Sequence, residues 1–313
     1  MKVVFLDGAS LPSPLSRPAF ASQWDVRAAT SPEQVVGALH GATVAITNKV
    51  KLKREQLEQL PELKLICVAA TGYDCIELAA CRDLGVTVCN VPAYSAVSVA
   101  ESVIASLFTL RRHLTAYQQA ALSDWSSSDH FCVHGEPIQD IQGMTLAIVG
   151  RGDIGSRVAR LAKALEMKVI FAEHRAASMT REGYVTFEHA LEQADAISLH
   201  CPLTAKTQHL IGETELARMR PGTLLINTAR GPLVDETALL ASLRNGHLGG
   251  AALDVMDVEP PRADHPLLHS NLPNLLITPH VAWASQSSVV RLKEVLISNV
   301  EAFVKGSPIN VVS

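Results

Sequence analysis

No run of apolar residues in this chain is long enough to cross a bilayer, which excludes a transmembrane helix as its organising element. An excess of basic charge is also missing. Lys and Arg total 27 against 31 Asp and Glu, a net charge of -4, which offers no footprint for nucleic acid or an anionic membrane surface. None of the six cysteines (Cys67, Cys75, Cys81, Cys89, Cys132 and Cys201) forms a CxxC pair, and none shows zinc-ligand spacing. They read as small hydrophobes in a reducing compartment, with no metal centre. Internal repeats and long low-complexity tracts are absent, which sets aside repeat architectures. The apolar stretch at Met1 to Leu6 is too short for a secretory leader and is closed by Asp7. It reads as a buried first strand, and a cytoplasmic location is expected.

What is present is an ordinary globular composition, 48% hydrophobic and 19% charged, over a length that suits two domains. Short apolar runs alternate with amphipathic stretches. Strands are expected near residues 3–6, 44–47, 63–69, 86–89, 146–149, 168–172, 196–200, 223–227, 251–253 and 275–278. Most are continuously apolar, as parallel strands covered on both faces are, so the expected class is α/β. Two long helices are expected, over about 97–120 and about 285–304. The block between them has its own Gly-rich start and reads as a nucleotide domain at 98–285. The chain ends, 1–97 and 286–313, would then combine into a smaller domain. The polar segment at 122–140 reads as a projecting loop or arm.

Gly150-Arg151-Gly152-Asp153-Ile154-Gly155 follows an apolar strand and precedes Val158, Leu161 and Leu165 at helical spacing. In this setting the first glycine permits a tight turn, the second lets backbone N–H groups reach a pyrophosphate, and the third lets the helix pack on the strand. A dinucleotide cofactor is expected. At the end of the next strand, Glu173 can accept hydrogen bonds from an adenosine ribose and would repel a 2′-phosphate, which favours NAD(H). His174 and Arg175 follow at once. A cation there can meet a 2′-phosphate, so NADP(H) stays open.

Ligands of doubly wound sheets bind beyond the carboxyl ends of the strands. Three apolar segments run into polar residues there: Asn227-Thr228-Ala229-Arg230-Gly231, Leu253-Asp254 on to Glu259-Pro260, and Thr278-Pro279-His280. Arg230 can fork onto a carboxylate and polarise a neighbouring carbonyl. His280, partnered by Glu259, would keep one ring orientation and act as a general acid. Together they compose a keto-acid reductase: Arg230 binds the carboxylate, His280 protonates the carbonyl oxygen, Glu259 orients His280, and a nicotinamide supplies hydride.

These blocks stand in order with Ala70-Thr71-Gly72-Tyr73-Asp74, Asn90-Val91-Pro92, Val99-Ala100-Glu101 and His200-Cys201-Pro202-Leu203-Thr204. Over nearly its whole length the chain resembles the D-2-hydroxyacid dehydrogenase family. The resemblance implies a Rossmann-type doubly wound parallel sheet inserted into a smaller flavodoxin-like α/β domain. It puts the family's catalytic residues on Arg230, Glu259 and His280, and its nicotinamide-amide carboxylate on Asp254. Further cofactor contacts fall on Cys201, Pro202, Thr207, Thr228 and Ala229, and the substrate-carboxylate loop on Ala70, Thr71 and Gly72. A homodimer through an arm at about 115–143 is also implied. Within the family, Thr47-Asn48-Lys49-Val50, Asp129-His130-Phe131-Cys132 and His280-Val281-Ala282-Trp283 resemble glycerate dehydrogenases, also called hydroxypyruvate reductases. The expected reaction is NAD(P)H-dependent reduction of hydroxypyruvate to D-glycerate. Asn48 or Lys49 would sit near the 3-hydroxyl, and Trp283 would line the pocket or pack beneath it. A glyoxylate or general 2-keto acid reductase, and an NADH-sensing corepressor-like binding protein, remain the competing readings.

Overall fold

The continuous apolar runs become parallel strands covered on both faces. The computed structural model describes residues 1–313. By internal contacts the chain divides into two compact units, Met1–Ser95 with Ala284–Ser313, and Ala96–Trp283.

The first unit holds β1 (Lys2–Phe5), β2 (Gln23–Val26), β3 (Val44–Thr47), β4 (Leu65–Val68) and β5 (Thr87–Cys89), all parallel, in the order β2-β1-β3-β4-β5. Val4, Leu6, Ala45, Ile66, Val68 and Val88 share one core with Leu39, Leu52, Leu57 and Leu63. The last helix, Gln286–Val304, belongs to this unit and buries Val289, Leu292, Leu296 and Val300. Its start is fixed by Ser285, whose hydroxyl accepts from the Ser288 N–H at 3.3 Å. β2 departs from the sequence expectation. Gln-Trp-Asp-Val lies at the sheet edge, part exposed, and has no apolar run to mark it.

The second unit holds β6 (Thr145–Val149), β7 (Lys168–Ala172), β8 (Ala196–Leu199), β9 (Leu224–Asn227), β10 (Gly250–Leu253) and β11 (Leu275–Ile277), again all parallel, in the order β11-β10-β9-β8-β6-β7. Side chains alternate across this sheet, as the two-residue period of a strand requires. Leu146, Ile148, Ala196, Leu224 and Ile226 pack with Ala100, Val103 and Leu107 of the helix Ala96–Arg111 and with Val158 and Ala162 of the helix Asp153–Ala164. Val149, Ile197, Leu199, Leu225 and Leu253 pack on the other face with Phe187, Leu191, Leu239 and Leu243. Each fully buried Leu or Ile contributes roughly 1.5–3 kcal/mol.

One expected helix is two. The stretch expected over 97–120 forms Ala96–Arg111 and Leu114–Ser123. His113 between them has φ +48°, in the left-handed region, and its N–H bonds back only to Leu110 O, so the helical ladder stops there. The apolar spacing continues through the break and does not reveal it.

The strand ends form a level row. Ala172, Val149, Leu199, Asn227, Leu253 and Ile277 are neighbours in register across β7, β6, β8, β9, β10 and β11. The next residue on each strand is Glu173, Gly150, His200, Thr228, Asp254 and Thr278. The dinucleotide motif and all three catalytic candidates leave the same edge of one sheet.

Candidate active site

The glycines at the exit of β6 have separate physical reasons. Gly150 has φ +104°, and a Cβ there would lie 2.7 Å from the backbone of His200. A Cβ on Gly155 would lie 2.0 Å from Gly150 O. Both are fixed by chain packing. At Gly152 an added Cβ would meet nothing within 4 Å, and the residue stands at the N-terminus of the helix Asp153–Ala164. Open space, small backbone and a helix start with unpaired N–H groups fit a dinucleotide pyrophosphate. Next along the row, the ring of His200 bonds Ser198 Oγ at 2.8 Å, and burial pushes its pKa down to about 4, so it is neutral. Cys201 is buried, its thiol pushed up to about 11 by desolvation. The Thr207 hydroxyl accepts from Thr204 N–H at 2.7 Å and donates to Pro202 O at 2.8 Å, which folds this loop on itself.

At the exits of β9, β10 and β11 the chain ties its functional side chains down. Asn227 accepts from Ala229 N–H at 3.0 Å and donates to Arg230 O at 2.8 Å, closing the turn that carries Arg230. Arg230 Nη1 donates to Ala229 O at 2.7 Å. The turn passes so near β10's exit that a Cβ on Gly231 would lie 1.9 Å from Met256 O. Glycine is required there. Thr228 Oγ1 is buried with no hydrogen-bond partner. Glu259, whose bond to Pro260 is cis, accepts from Met256 N–H at 3.0 Å through one oxygen. Its other oxygen lies 2.7 Å from His280 Nδ1. Both side chains keep partial exposure, 27% for His280 and 34% for Glu259, so the far edge of the ring stays reachable.

Asp254, the carboxylate expected to meet the nicotinamide amide, is tied to the turn that follows β11. It accepts from Thr278 Oγ1 at 2.6 Å, Val281 N–H at 2.9 Å and Ala282 N–H at 2.9 Å, and its own carbonyl accepts from His280 N–H at 2.8 Å. It thus fastens the turn in which His280 adopts φ +53°. Trp283 completes that turn by donating Nε1–H to His280 O at 2.9 Å.

At the exit of β7 stands Glu173, the carboxylate expected to meet the ribose. Glu173 is buried and its carboxylate is held by Arg181, with Nε at 2.7 Å from Oε2 and Nη2 at 2.7 Å from Oε1. The Arg181 guanidinium and two backbone N–H groups, against the opposing effect of burial, hold its pKa down to about 2. Arg175, expected near a 2′-phosphate, lies 3.2 Å from Glu215.

The other candidates belong to the first unit, also at strand exits. Asp7 accepts from Asn48 N–H at 2.9 Å and Lys49 N–H at 2.7 Å. Asn48 is buried and donates Nδ2–H to Ser10 Oγ at 3.2 Å, whereas Lys49 is exposed. Thr71 Oγ1 donates to Val91 O at 2.9 Å, and Asn90 Nδ2 donates to Thr71 O at 2.7 Å, which fixes the loop Ala70-Thr71-Gly72 against β5's exit.

Two site residues escape sequence reasoning. Arg181 stands eight positions past Glu173, across a loop with no periodicity to connect them. Asp7 reads only as the residue that interrupts an apolar stretch; a carboxylate directly after a buried strand was the available signal.

The family model for the D-isomer specific 2-hydroxyacid dehydrogenase, NAD binding domain, matches residues 104–282. A glycerate dehydrogenase of Methylorubrum extorquens is 44% identical over 313 residues, covering 99% of this chain and 98% of that protein. A hydroxypyruvate reductase of Blautia hydrogenotrophica is 34% identical over 323 residues, covering 100% of both. Among solved structures, D-lactate dehydrogenase from Aquifex aeolicus, complexed with NAD and lactic acid, superposes with a TM-score of 0.82 at 30% identity over 100% of both chains.

Proposed function

The chain belongs to the D-isomer specific 2-hydroxyacid dehydrogenases, and from that premise we propose that it reduces hydroxypyruvate to D-glycerate with NADH. It is an oxidoreductase acting on CH–OH groups, and its second unit is an NAD-binding domain. The single observation that carries the catalytic reading is the 2.7 Å contact between His280 Nδ1 and Glu259 Oε2, with the ring still accessible.

Each residue then has one task. Arg230 grips the substrate carboxylate and draws electron density from the adjacent ketone. His280 gives a proton from Nε2 to the carbonyl oxygen as it becomes an alkoxide. Glu259 fixes the ring so that Nε2 faces outward and stabilises the imidazolium. The bound coenzyme supplies the hydride. Asp254, through its three contacts with the turn at 278–282, holds His280 in place. Lys49 is the better candidate for the 3-hydroxyl, because the Asn48 amide is already bonded to Ser10.

The same reading includes a homodimer and a cytoplasmic location. Leu122, Trp125 and Phe131, on the arm, are 77%, 54% and 90% exposed, which supports a self-complementary covering surface. No helix is long and apolar enough to cross a membrane.

Initial rates of NADH oxidation with hydroxypyruvate, glyoxylate and pyruvate test the proposal. Hydroxypyruvate should be fastest, and His280→Ala should lower kcat by roughly 100- to 10,000-fold while NADH still binds. Absence of turnover with all three acids would overturn it, and faster glyoxylate would replace the substrate.

A further inference from the structure

The loop that carries Glu259 has no apolar anchor of its own. Met256 and Leu267 are buried, and no side chain from Asp257 to Pro266 is. Packing alone does not hold such a stretch to the 0.5 Å or so that a catalytic pair requires. Yet Glu259 Oε2 and His280 Nδ1 meet at 2.7 Å.

One carboxylate, Glu236, holds both flanks of the loop. Its Oε1 accepts from Asp257 N–H at 2.8 Å, just before Glu259. Its Oε2 lies 3.0 Å from His265 Nε2, beyond Glu259. Leu267 N–H donates to His265 Nδ1 at 3.3 Å, which puts the ring proton on Nε2, facing Glu236. The bond therefore forms with a neutral ring. Glu236 and His265 are 16% and 21% exposed, less than Glu259 and His280.

The helix Glu236–Arg244 is capped without Glu236. Asp235 accepts from the N–H groups of Thr237 and Ala238, each at 3.0 Å, and Leu239 and Leu243 seat the helix in the core. A carboxylate on this fixed element spends both oxygens on the loop of another strand.

We propose that Glu236 and His265 are positioning residues for the proton donor: they fix the loop so that Glu259 stays against Nδ1 of His280. The inference rests on the reading of His280 and Glu259 as acid and orienting partner.

A double-mutant cycle on the full chain tests it, using initial rates with NADH and the fastest of hydroxypyruvate, glyoxylate and pyruvate. Glu259→Gln should be slow by itself. Glu236→Ala should lower kcat about tenfold, because a misplacement of about 1 Å can cost 100-fold. KM for the keto acid and Kd for NADH should stay within about twofold, since Asn227 closes the turn of Arg230 unaided. Glu236→Gln keeps an oxygen acceptor for Asp257 N–H and should restore most of the rate. In the Glu259→Gln background, Glu236→Ala should change kcat by less than about twofold, because the carboxylate it positions is gone. His265→Ala removes only the second hold. It should lower kcat about threefold in wild type and not in Glu259→Gln, and it decides the matter if Glu236→Ala does not fold. Losses equal in both backgrounds, or shared by NADH binding, would mean an ordinary structural tie and overturn the inference. Full kcat in Glu236→Ala and His265→Ala, with Glu259→Gln slow, overturns it alone. Full kcat in Glu259→Gln overturns the catalytic reading and this inference with it.

Discussion

The two sheets of this protein begin with the same winding and end with opposite uses of it. In the first unit β1 lies between β2 and β3, and in the second β6 lies between β7 and β8, so each sheet reverses direction beside its first strand. That reversal is where open α/β sheets leave a crevice for ligands. In the first unit the crevice is bridged from within. Asp7 leaves β1, and its carboxylate takes the N–H groups of Asn48 and Lys49 at β3's exit, at 2.9 and 2.7 Å. In the second, Gly150 leaves β6 pressed against the backbone of His200 at β8's exit, and Gly152 then faces open space at a helix N-terminus. One switch point carries its own anion; the other leaves its donors for an anion from outside. Topology supplies the crevice, and two or three residues at the strand exits decide what fills it.

Giving the second switch point an anion of its own is the strongest way to break this contrast. Gly152 has φ -82°, which any residue adopts, and no atom lies within 4 Å of an added Cβ. Gly152→Asp should therefore fold, with a thermal midpoint within about 2 °C of wild type. Its carboxylate would stand where the pyrophosphate approaches. Juxtaposed like charges cost several kcal/mol, so NADH affinity should fall on the order of 100-fold in a fluorescence titration. Undiminished binding would mean that the phosphates do not use this open side.

Removing the anion from the first switch point should act on stability instead. Asp7 is 8% exposed, and Asp7→Ala leaves the Asn48 and Lys49 N–H groups without their acceptor. Unsatisfied buried donors cost about 1–3 kcal/mol, which lowers the melting midpoint by roughly 5 °C. NADH affinity, set in the other unit, should stay within about twofold. An unchanged midpoint would show that the bridge at Asp7 contributes nothing.

This contrast also marks what could be read from the residues alone. The apolar runs announced most of the strands, because a strand buried on both faces must be apolar throughout, and only β2, an edge strand with Gln23 and Asp25, escaped. The Gly-rich loop and the positions of Arg230, Glu259 and His280 were legible for a related reason: each follows a strong strand within a few residues. What was hidden depends on partners brought together by folding. Arg181 reaches Glu173 across a loop, Arg175 turns to Glu215 forty positions away, and Asp254 meets the N–H groups of Val281 and Ala282. A carboxylate's identity shows in sequence; the donor that satisfies it does not.

The smallest expected difference between the switch points concerns acid. At β8's exit stands His200, held neutral by burial with its pKa pushed down to about 4, and at the matching exit of β3 stands Asn48, which does not titrate. Unfolded, the imidazole takes a proton near pH 6.5; folded, it refuses one until about pH 4. Between those values the unfolded chain binds more protons, so stability must fall as pH falls through this window and level off below it. The full shift corresponds to at most about 3 kcal/mol. His200→Gln keeps a hydrogen-bonding partner for Ser198 without the titration. Urea unfolding at pH 7 and pH 4.5 should show wild type losing more stability than the variant, by about 1–2 kcal/mol. Equal losses would mean that His200 is protonated as readily in the folded chain as in the unfolded one, and the two exits would then respond to acid alike.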